Sequence, residues 1–258
     1  MKRKNFQYIY GPVSSWRLGR SLGVDPLSGE DKICNFDCTY CQLGSGGEYR
    51  KERADFVPTA GIIDEINALP PVALDYITFS GRGEPTLAAN LGEMISEVKK
   101  TRKEPVAVLT NSTLLHDKEV AKSLYQADLI AVKIDASDGE LFEKINRPAE
   151  WVEFNEMIEG IKYFRHNYKG RLALQVMFLE ENREKADEIA RLAGDIDPDE
   201  VQLNTPLRPC AARPLSKDTM DKIEIAFKGL DVITVYNSTK KTVQPVSKKD
   251  TMRRRGKC

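Results

Sequence analysis

Short runs of β-branched and aliphatic residues alternate with longer amphipathic stretches along most of this chain. That alternation constrains the fold more than any other feature. Residues 75–79, 106–110, 129–134, 172–178, 200–203 and 232–236 read as strands, and several are followed by Gly, Asn, Ser or Pro. Between them, 59–68, 91–100, 137–145, 154–168, 182–193 and 216–227 carry helical spacing, as in Leu91, Met94, Ile95 and Val98. Pro58 suits the start of the first helix. Ser137, with Glu140 three residues on, suits an N-cap. An earlier strand is expected at 19–24. Strand–helix alternation implies right-handed βαβ units and a parallel sheet. Roughly six such units fit, fewer than the eight of a closed barrel. The expected fold is therefore α/β, a partial (βα)6 TIM-like barrel with parallel strands plus a C-terminal extension. In such folds sites form at the carboxyl ends of the strands.

With 258 residues the chain can bury a substantial core. Lys plus Arg (39) balance Asp plus Glu (39), so no global basic field announces a nucleic-acid partner. No apolar run approaches the roughly 20 residues needed to cross a bilayer, and no apolar segment follows the charged N-terminus. The expectation is a cytoplasmic protein with no membrane association and with reduced cysteines. Composition changes near residue 238. Lys240, Lys241, Lys248, Lys249, Arg253, Arg254, Arg255 and Lys257 face one anion, Asp250. We therefore divide the chain into a barrel domain, 1–237, and a basic tail or extension over the barrel mouth, 238–258. Only His116 and His166 are present, which disfavours sites that need several imidazoles.

Cys34-Asn-Phe-Asp-Cys38-Thr-Tyr-Cys41 places three thiolates in one short loop with C-x3-C-x2-C spacing. Thiolates are soft ligands for iron–sulfur clusters or zinc. Structural zinc takes four ligands, commonly as paired C-x2-C hooks, and only Cys210 or Cys258 remains to complete such a site. A cubane held by three thiolates instead leaves one iron open to a substrate or cofactor. The turn Ser80-Gly-Arg-Gly-Glu84 follows the strand at 75–79. Its glycines allow close backbone approach to a ligand, and Glu84 offers a carboxylate to an ammonium group.

These features resemble the radical S-adenosylmethionine (SAM) superfamily, whose hallmark is this cysteine spacing with an aromatic, here Tyr40, before the third cysteine. The resemblance implies a [4Fe–4S] cluster on Cys34, Cys38 and Cys41, SAM as cofactor, and reductive cleavage of SAM to a 5′-deoxyadenosyl radical that abstracts hydrogen from substrate. It further implies that Gly81, Gly83 and Glu84 correspond to the motif that binds the methionine end of SAM, although Arg82-Gly83 replaces the family's glycine pair. Asn111, following the strand at 106–110, is expected to reach the cofactor or else to cap the following turn, and Lys133 and Asp135, flanking the next strand end, are expected to reach the cofactor. Lys133 and Asp135 lie two apart, so they share a face; a structural ion pair is their alternative. Asn204, beyond Gln175 and Met177 on the neighbouring strand, is the expected adenine-side residue, with core packing as its alternative.

Further stretches, Tyr10 to Asp25, Cys41-Gln-Leu-Gly44, Ile145-Asn-Arg-Pro148 and Leu203 to Pro209, resemble a branch of Fe–S oxidoreductases grouped loosely with the wyosine-base (4-demethylwyosine) synthases of tRNA modification. That group has Trp after its third cysteine and additional upstream cysteines. Here Gln42 follows Cys41, and no cysteine precedes Cys34. SAM cleavage is thus better supported than wyosine chemistry. Arg17, Arg20, Arg147 and Arg208 suit recognition of carboxylate or phosphate, or else ion pairing. Cys210 and Cys258 read as free thiols or, alternatively, redox or hydrogen-donor groups. The implied partners are a low-potential electron donor of the flavodoxin or ferredoxin type and an unidentified substrate: an RNA base, a peptide or a small molecule. RNA is admitted by the basic tail and by Lys2, Arg3 and Lys4. Two alternatives stand beside this reading: an activase that generates a glycyl radical on a partner protein, and a non-catalytic metal-binding module.

Overall fold

The computed structural model describes residues 6–29 and 31–255, without the side chains of Arg253 and Arg255. Eight strands form one sheet in sequence order. β1 (Ile9–Ser15) pairs antiparallel with β2 (Gly19–Val24). β3 (Tyr76–Phe79), β4 (Val106–Leu109), β5 (Leu129–Lys133), β6 (Arg171–Met177), β7 (Glu200–Asn204) and β8 (Val232–Thr234) follow, each parallel to its predecessor. β1 and β8 do not pair, so the curled sheet is a partial barrel. Helices α1 (Thr59–Asn67), α2 (Leu91–Thr101), α3 (Lys118–Leu124), α4 (Gly139–Asn146), α5 (Phe154–Asn167), α6 (Ala186–Ile196) and α7 (Lys217–Ala226) supply the crossovers, and α8 (Lys248–Arg255) closes the chain. Among the described residues, no helix is long and apolar enough to cross a membrane.

Strand periodicity sorts the two faces of the sheet. Ile77, Phe79, Val106, Val108, Ile130, Val132, Leu172, Leu174, Val201 and Leu203 join the main core under the helices. On α2 it is Leu91, Met94, Ile95 and Val98 that are fully buried, each contributing about 1.5–3 kcal/mol. The alternate strand positions face inward. Ala107, Leu129, Ala131 and Ala173 form a second, smaller cluster there, plugged by Leu18 from the β1–β2 turn. One step higher the inner face becomes polar. Lys133, Gln175 and Gln202 are register neighbours, and Arg17 Nη1 donates to Gln175 Oε1 at 2.6 Å.

Three local differences from the sequence expectations have clear causes. Asp138, not Ser137, caps α4: its carboxylate accepts the Leu141 N–H, while Ser137 bonds to Asp138. The regular helix expected from residue 182 begins at Ala186, because Asn182 is engaged elsewhere. Its Oδ1 accepts the Leu179 N–H and its Nδ2 donates to the carbonyls of Asp135 and Met177. The basic segment contains a docked helix. Asp250 of α8 accepts the N–H of Phe6, Thr251 Oγ1 accepts that of Gly11, and Gly11 O accepts that of Val246.

Candidate active site

The cysteine loop follows β2 and lies across the carboxyl ends of the strands. Its backbone is held from two sides. The N–H of Asp37 reaches the carbonyls of Asn146 and Arg147, that of Thr39 reaches Ile145, and that of Ala149 reaches Asn35. Arg147 ends α4 in the left-handed region, φ 45°, which turns Pro148 back onto Phe36. Beneath the loop, Phe36 packs edge-on against Phe142 with ring centroids 5.3 Å apart, and Phe154 meets Phe142 on its other side.

The second support is the turn after β3. Ile33 N donates to Arg82 O and Glu84 N donates to Ile33 O, both at 2.9 Å, forming a parallel bridge between the two loops. This bridge explains Gly83. A Cβ there would lie 1.6 Å from the Ile33 carbonyl oxygen. Gly81, at φ 138°, is required by a different neighbour, since its Cβ would meet the Asp25 carboxylate at 2.4 Å. Both glycines thus allow close approach of protein to protein, where the sequence suggested approach to a ligand.

Glu84 is buried, and it ties two strand ends together. Its Oε1 accepts Thr86 N, Thr86 Oγ1 and Thr110 Oγ1 at 2.7–3.0 Å, and its Oε2 accepts Asn111 N at 2.6 Å. Burial pushes the carboxyl up from its ordinary value, and these donors pull it back. Asn111 continues the network into the cysteine loop. Its Nδ2 donates to Asn35 Oδ1 at 2.6 Å and approaches Cys34 Sγ at 3.8 Å.

On the other flank, Asp135 Oδ2 accepts the hydroxyl of Tyr40 and Asn146 Nδ2, and its Oδ1 accepts Met177 N at 2.8 Å. Lys133 Nζ lies 3.4 Å from Asp135 Oδ1 and 4.9 Å from the Tyr40 ring centroid. The ion pair expected as the alternative for Lys133 and Asp135 is therefore present. Asn146 Nδ2 also points to Cys38 Sγ at 3.6 Å. Asn204 ends β7 in register with Met177.

The donor set around the sulfurs bears on what the loop can hold. Cys34 Sγ faces the Phe36 N–H at 3.4 Å and the Asn111 amide; Cys38 Sγ faces the Asn146 amide. Burial pushes the Cys34 thiol well up and the Cys38 thiol up to about 11. Metal ligation is what holds such thiols as thiolates. Among the described residues, no three His, Cys, Asp or Glu side chains converge as a single-ion site requires. A cubane places each thiolate on a separate iron, which fits three thiols carried on one short loop with N–H donors beside Cys34 and Cys38.

Sequence reasoning missed Asn35, Asn146, Thr110 and Asp25. Each is a single polar residue whose partner is remote in sequence, so no spacing signals it. Of the four arginines, Arg17 reaches the inner face, while Arg20 pairs with Asp75 at the opposite rim. Arg147 acts through its backbone, and Arg208 Nη1 donates to Gln42 Oε1 at 2.9 Å beside Cys41. Among the described residues Cys34, Cys38, Cys41 and Cys210 are not paired as disulfides, and Cys210 Sγ is 3.4 Å from Ala212 O. Cys258, Lys2, Arg3, Lys4 and Lys257 lie outside the described residues.

A family profile described as the radical SAM superfamily matches residues 32–193, more than half the chain. The chain belongs to the radical SAM superfamily. It is a radical SAM enzyme, with a [4Fe–4S] cluster and SAM as cofactors. Within that class it is 42% identical over 214 residues to UPF0026 protein slr1464 of Synechocystis sp., covering 83% of this chain and 79% of that protein. It is also 34% identical over 255 residues to a protein of Brachyspira hyodysenteriae named GTPase Obg, covering 94% of this chain and 37% of the other. The fold is similar to Streptococcus suis SuiB bound to S-adenosylmethionine, with TM-score 0.60 and 14% identity. That match covers 80% of this chain, which spans about half of SuiB (48%).

Proposed function

We propose that Cys34, Cys38 and Cys41 hold the cluster and that the chain uses it to cleave SAM and abstract a hydrogen atom from a substrate at the barrel mouth. Cluster and SAM together supply one-electron cleavage of a carbon–sulfur bond, releasing methionine and a 5′-deoxyadenosyl radical that takes hydrogen from substrate. The observation that carries this reading is the Ile33–Gly83 bridge. It sets the three-cysteine loop directly against the Gly81–Glu84 turn at the carboxyl ends of a parallel sheet.

The protein's own groups bind and orient. The backbone of Gly81 to Gly83 faces the methionine end of SAM, and Glu84 keeps that turn in place by anchoring it to Thr110 and Asn111. Asn111 and Asn35 orient Cys34, and Asn146 orients Cys38 and Tyr40. Lys133, held between Asp135 and the Tyr40 ring, supplies a cation to the carboxylate or ribose side, and Asn204 meets the adenine side. The polar inner face around Arg17 and Gln175 receives substrate. A low-potential donor of the flavodoxin or ferredoxin type delivers the electron. An RNA substrate finds less support, because two tail cations, Lys241 and Arg254, already face carboxylates.

Metal and sulfide analysis after anaerobic reconstitution tests the assignment. About four irons with matching sulfide are expected in the wild type, together with an electron paramagnetic resonance signal that shifts when SAM is added to the reduced protein. Each of Cys34→Ala, Cys38→Ala and Cys41→Ala is expected to lose the cluster. Tight zinc without sulfide would contradict the proposal.

A further inference from the structure

Asp25 follows β2 and is fully buried behind the Gly81–Glu84 turn. Its Oδ1 accepts the N–H of Leu27 at 3.2 Å and of Arg82 at 3.3 Å. Gly81 lies so close that no side chain fits between it and the carboxylate. The peptide joining Gly81 to Arg82 therefore rests directly on Asp25. The other carboxylate oxygen, Oδ2, lies 3.5 Å from Nε of Arg254.

Arg254 comes from α8, at the far end of the chain, and its side chain is 1% exposed. Its Nη2 donates to Ser28 Oγ at 2.9 Å and its Nη1 to Asp250 O at 3.4 Å. Asp250 and Thr251 latch the same helix to Phe6 and Gly11. A buried guanidinium and a buried carboxylate are tolerated only as a pair. Removing Arg254 takes away the stronger of the two guanidinium charges that act on Asp25, Arg82 being the other, and the less compensated carboxylate then moves or draws in water. The group that would move is Asp25, the surface on which the Gly81–Arg82 peptide sits.

We propose that Arg254 is a positioning residue for the cofactor site: from the C-terminal helix, through Asp25, it sets the Gly81–Arg82 peptide in the geometry that binds SAM. This rests on the assignment of that turn to the methionine end of SAM. Docking of α8 and binding of SAM are then coupled, and the coupling is reciprocal. Undocking the helix weakens SAM binding, and SAM slows the opening of the helix. The basic C-terminal segment, suggestive of a nucleic-acid tail by composition, is in this account part of the cofactor site.

Equilibrium dialysis of SAM against the cluster-loaded full chain tests the proposal, with Arg254→Met and Arg254→Lys beside the wild type. Iron and sulfide are measured on the same samples, and amide hydrogen exchange of residues 248–255 is followed with and without SAM. The expected result is wild-type iron content and a roughly tenfold or greater loss of SAM affinity in Arg254→Met. Arg254→Lys, which keeps the charge, recovers part of that loss. In the wild type SAM slows exchange across α8, a readout that needs no variant to fold. Unchanged SAM affinity in loaded Arg254→Met, or unchanged α8 exchange on SAM binding to the wild type, would overturn the coupling and leave the assignment of the turn intact. Failure of the loaded wild type to bind SAM would overturn both.

Discussion

The two rims of the sheet use carboxylates in opposite ways. At the amino-end rim Asp75 stands partly in water and gathers cations. It accepts Arg20 N at 2.7 Å, Arg20 Nε and Nη2 at 3.1 and 2.9 Å, and Lys241 Nζ at 3.0 Å. These bonds, chiefly those from the Arg20 side chain, hold its carboxyl well below the usual range. At the carboxyl-end rim Asp25 and Glu84 are buried, and burial pushes both upward. Asp75 therefore stabilises the fold in its charged form. Asp25 and Glu84 cost stability when ionised and are retained by donors that fix two loops. One rim thus ties the strand starts together, and the other carries the loops of the candidate site, the division expected of parallel barrels.

The sharpest way to break this contrast is Gly83→Ala. The added Cβ would lie 1.6 Å from the Ile33 carbonyl oxygen, so the bridge between the cysteine loop and the turn must open. We expect 5′-deoxyadenosine formation to fall at least about 100-fold, because a displacement near 1 Å is enough to cost that much. Near-normal product with an intact cluster would show that the bridge does not position the site.

Tyr40→Phe is a smaller change at the same rim. It removes the hydroxyl that Asp135 accepts and leaves that buried carboxylate one donor short. Unfolding in urea should show a loss of about 1–3 kcal/mol, and product formation should fall about tenfold. A loss of stability with unchanged product formation would move Tyr40 from the site to the scaffold.

Asp75→Asn tests the other rim and should be smaller still, about 1–2 kcal/mol at pH 7, allowing for its partial exposure. The sign of the pH dependence follows from the lowered pKa. The stabilisation is present above the ordinary carboxylate range and is lost as pH falls through the depressed folded-state value. The difference in stability between wild type and Asp75→Asn should therefore shrink below about pH 4. Product formation per folded molecule should not change. A deficit that grows in acid would contradict the charge assignment.

Much of this arrangement was legible in the sequence, for physical reasons that also mark where reading stopped. β3 to β7 were readable because short aliphatic runs ended at turn residues. The cysteine loop was readable because its three thiols lie within eight residues of sequence. β1 was not, since Gly11 and Pro12 interrupt it at the register shift between Tyr10 and Val13, and proline reads against a strand. α8 was not, because Lys248 to Arg255 has no apolar periodicity; it docks through Asp250, Thr251 and Arg254 instead. The supporting shell of the site escaped for a related reason. Asn111 meets Asn35 across 76 residues, Asn146 meets Cys38 across 108, and Arg254 meets Ser28 across 226. Such pairs exist only once the sheet has curled.

The most direct test is 5′-deoxyadenosine formation by the anaerobically reconstituted, reduced protein given SAM, with Cys38→Ala and Asp75→Asn measured alongside. The account predicts product in the wild type and in Asp75→Asn, and none in Cys38→Ala. Product that persists in Cys38→Ala, or its absence from a fully loaded and reduced wild type given SAM, would contradict it.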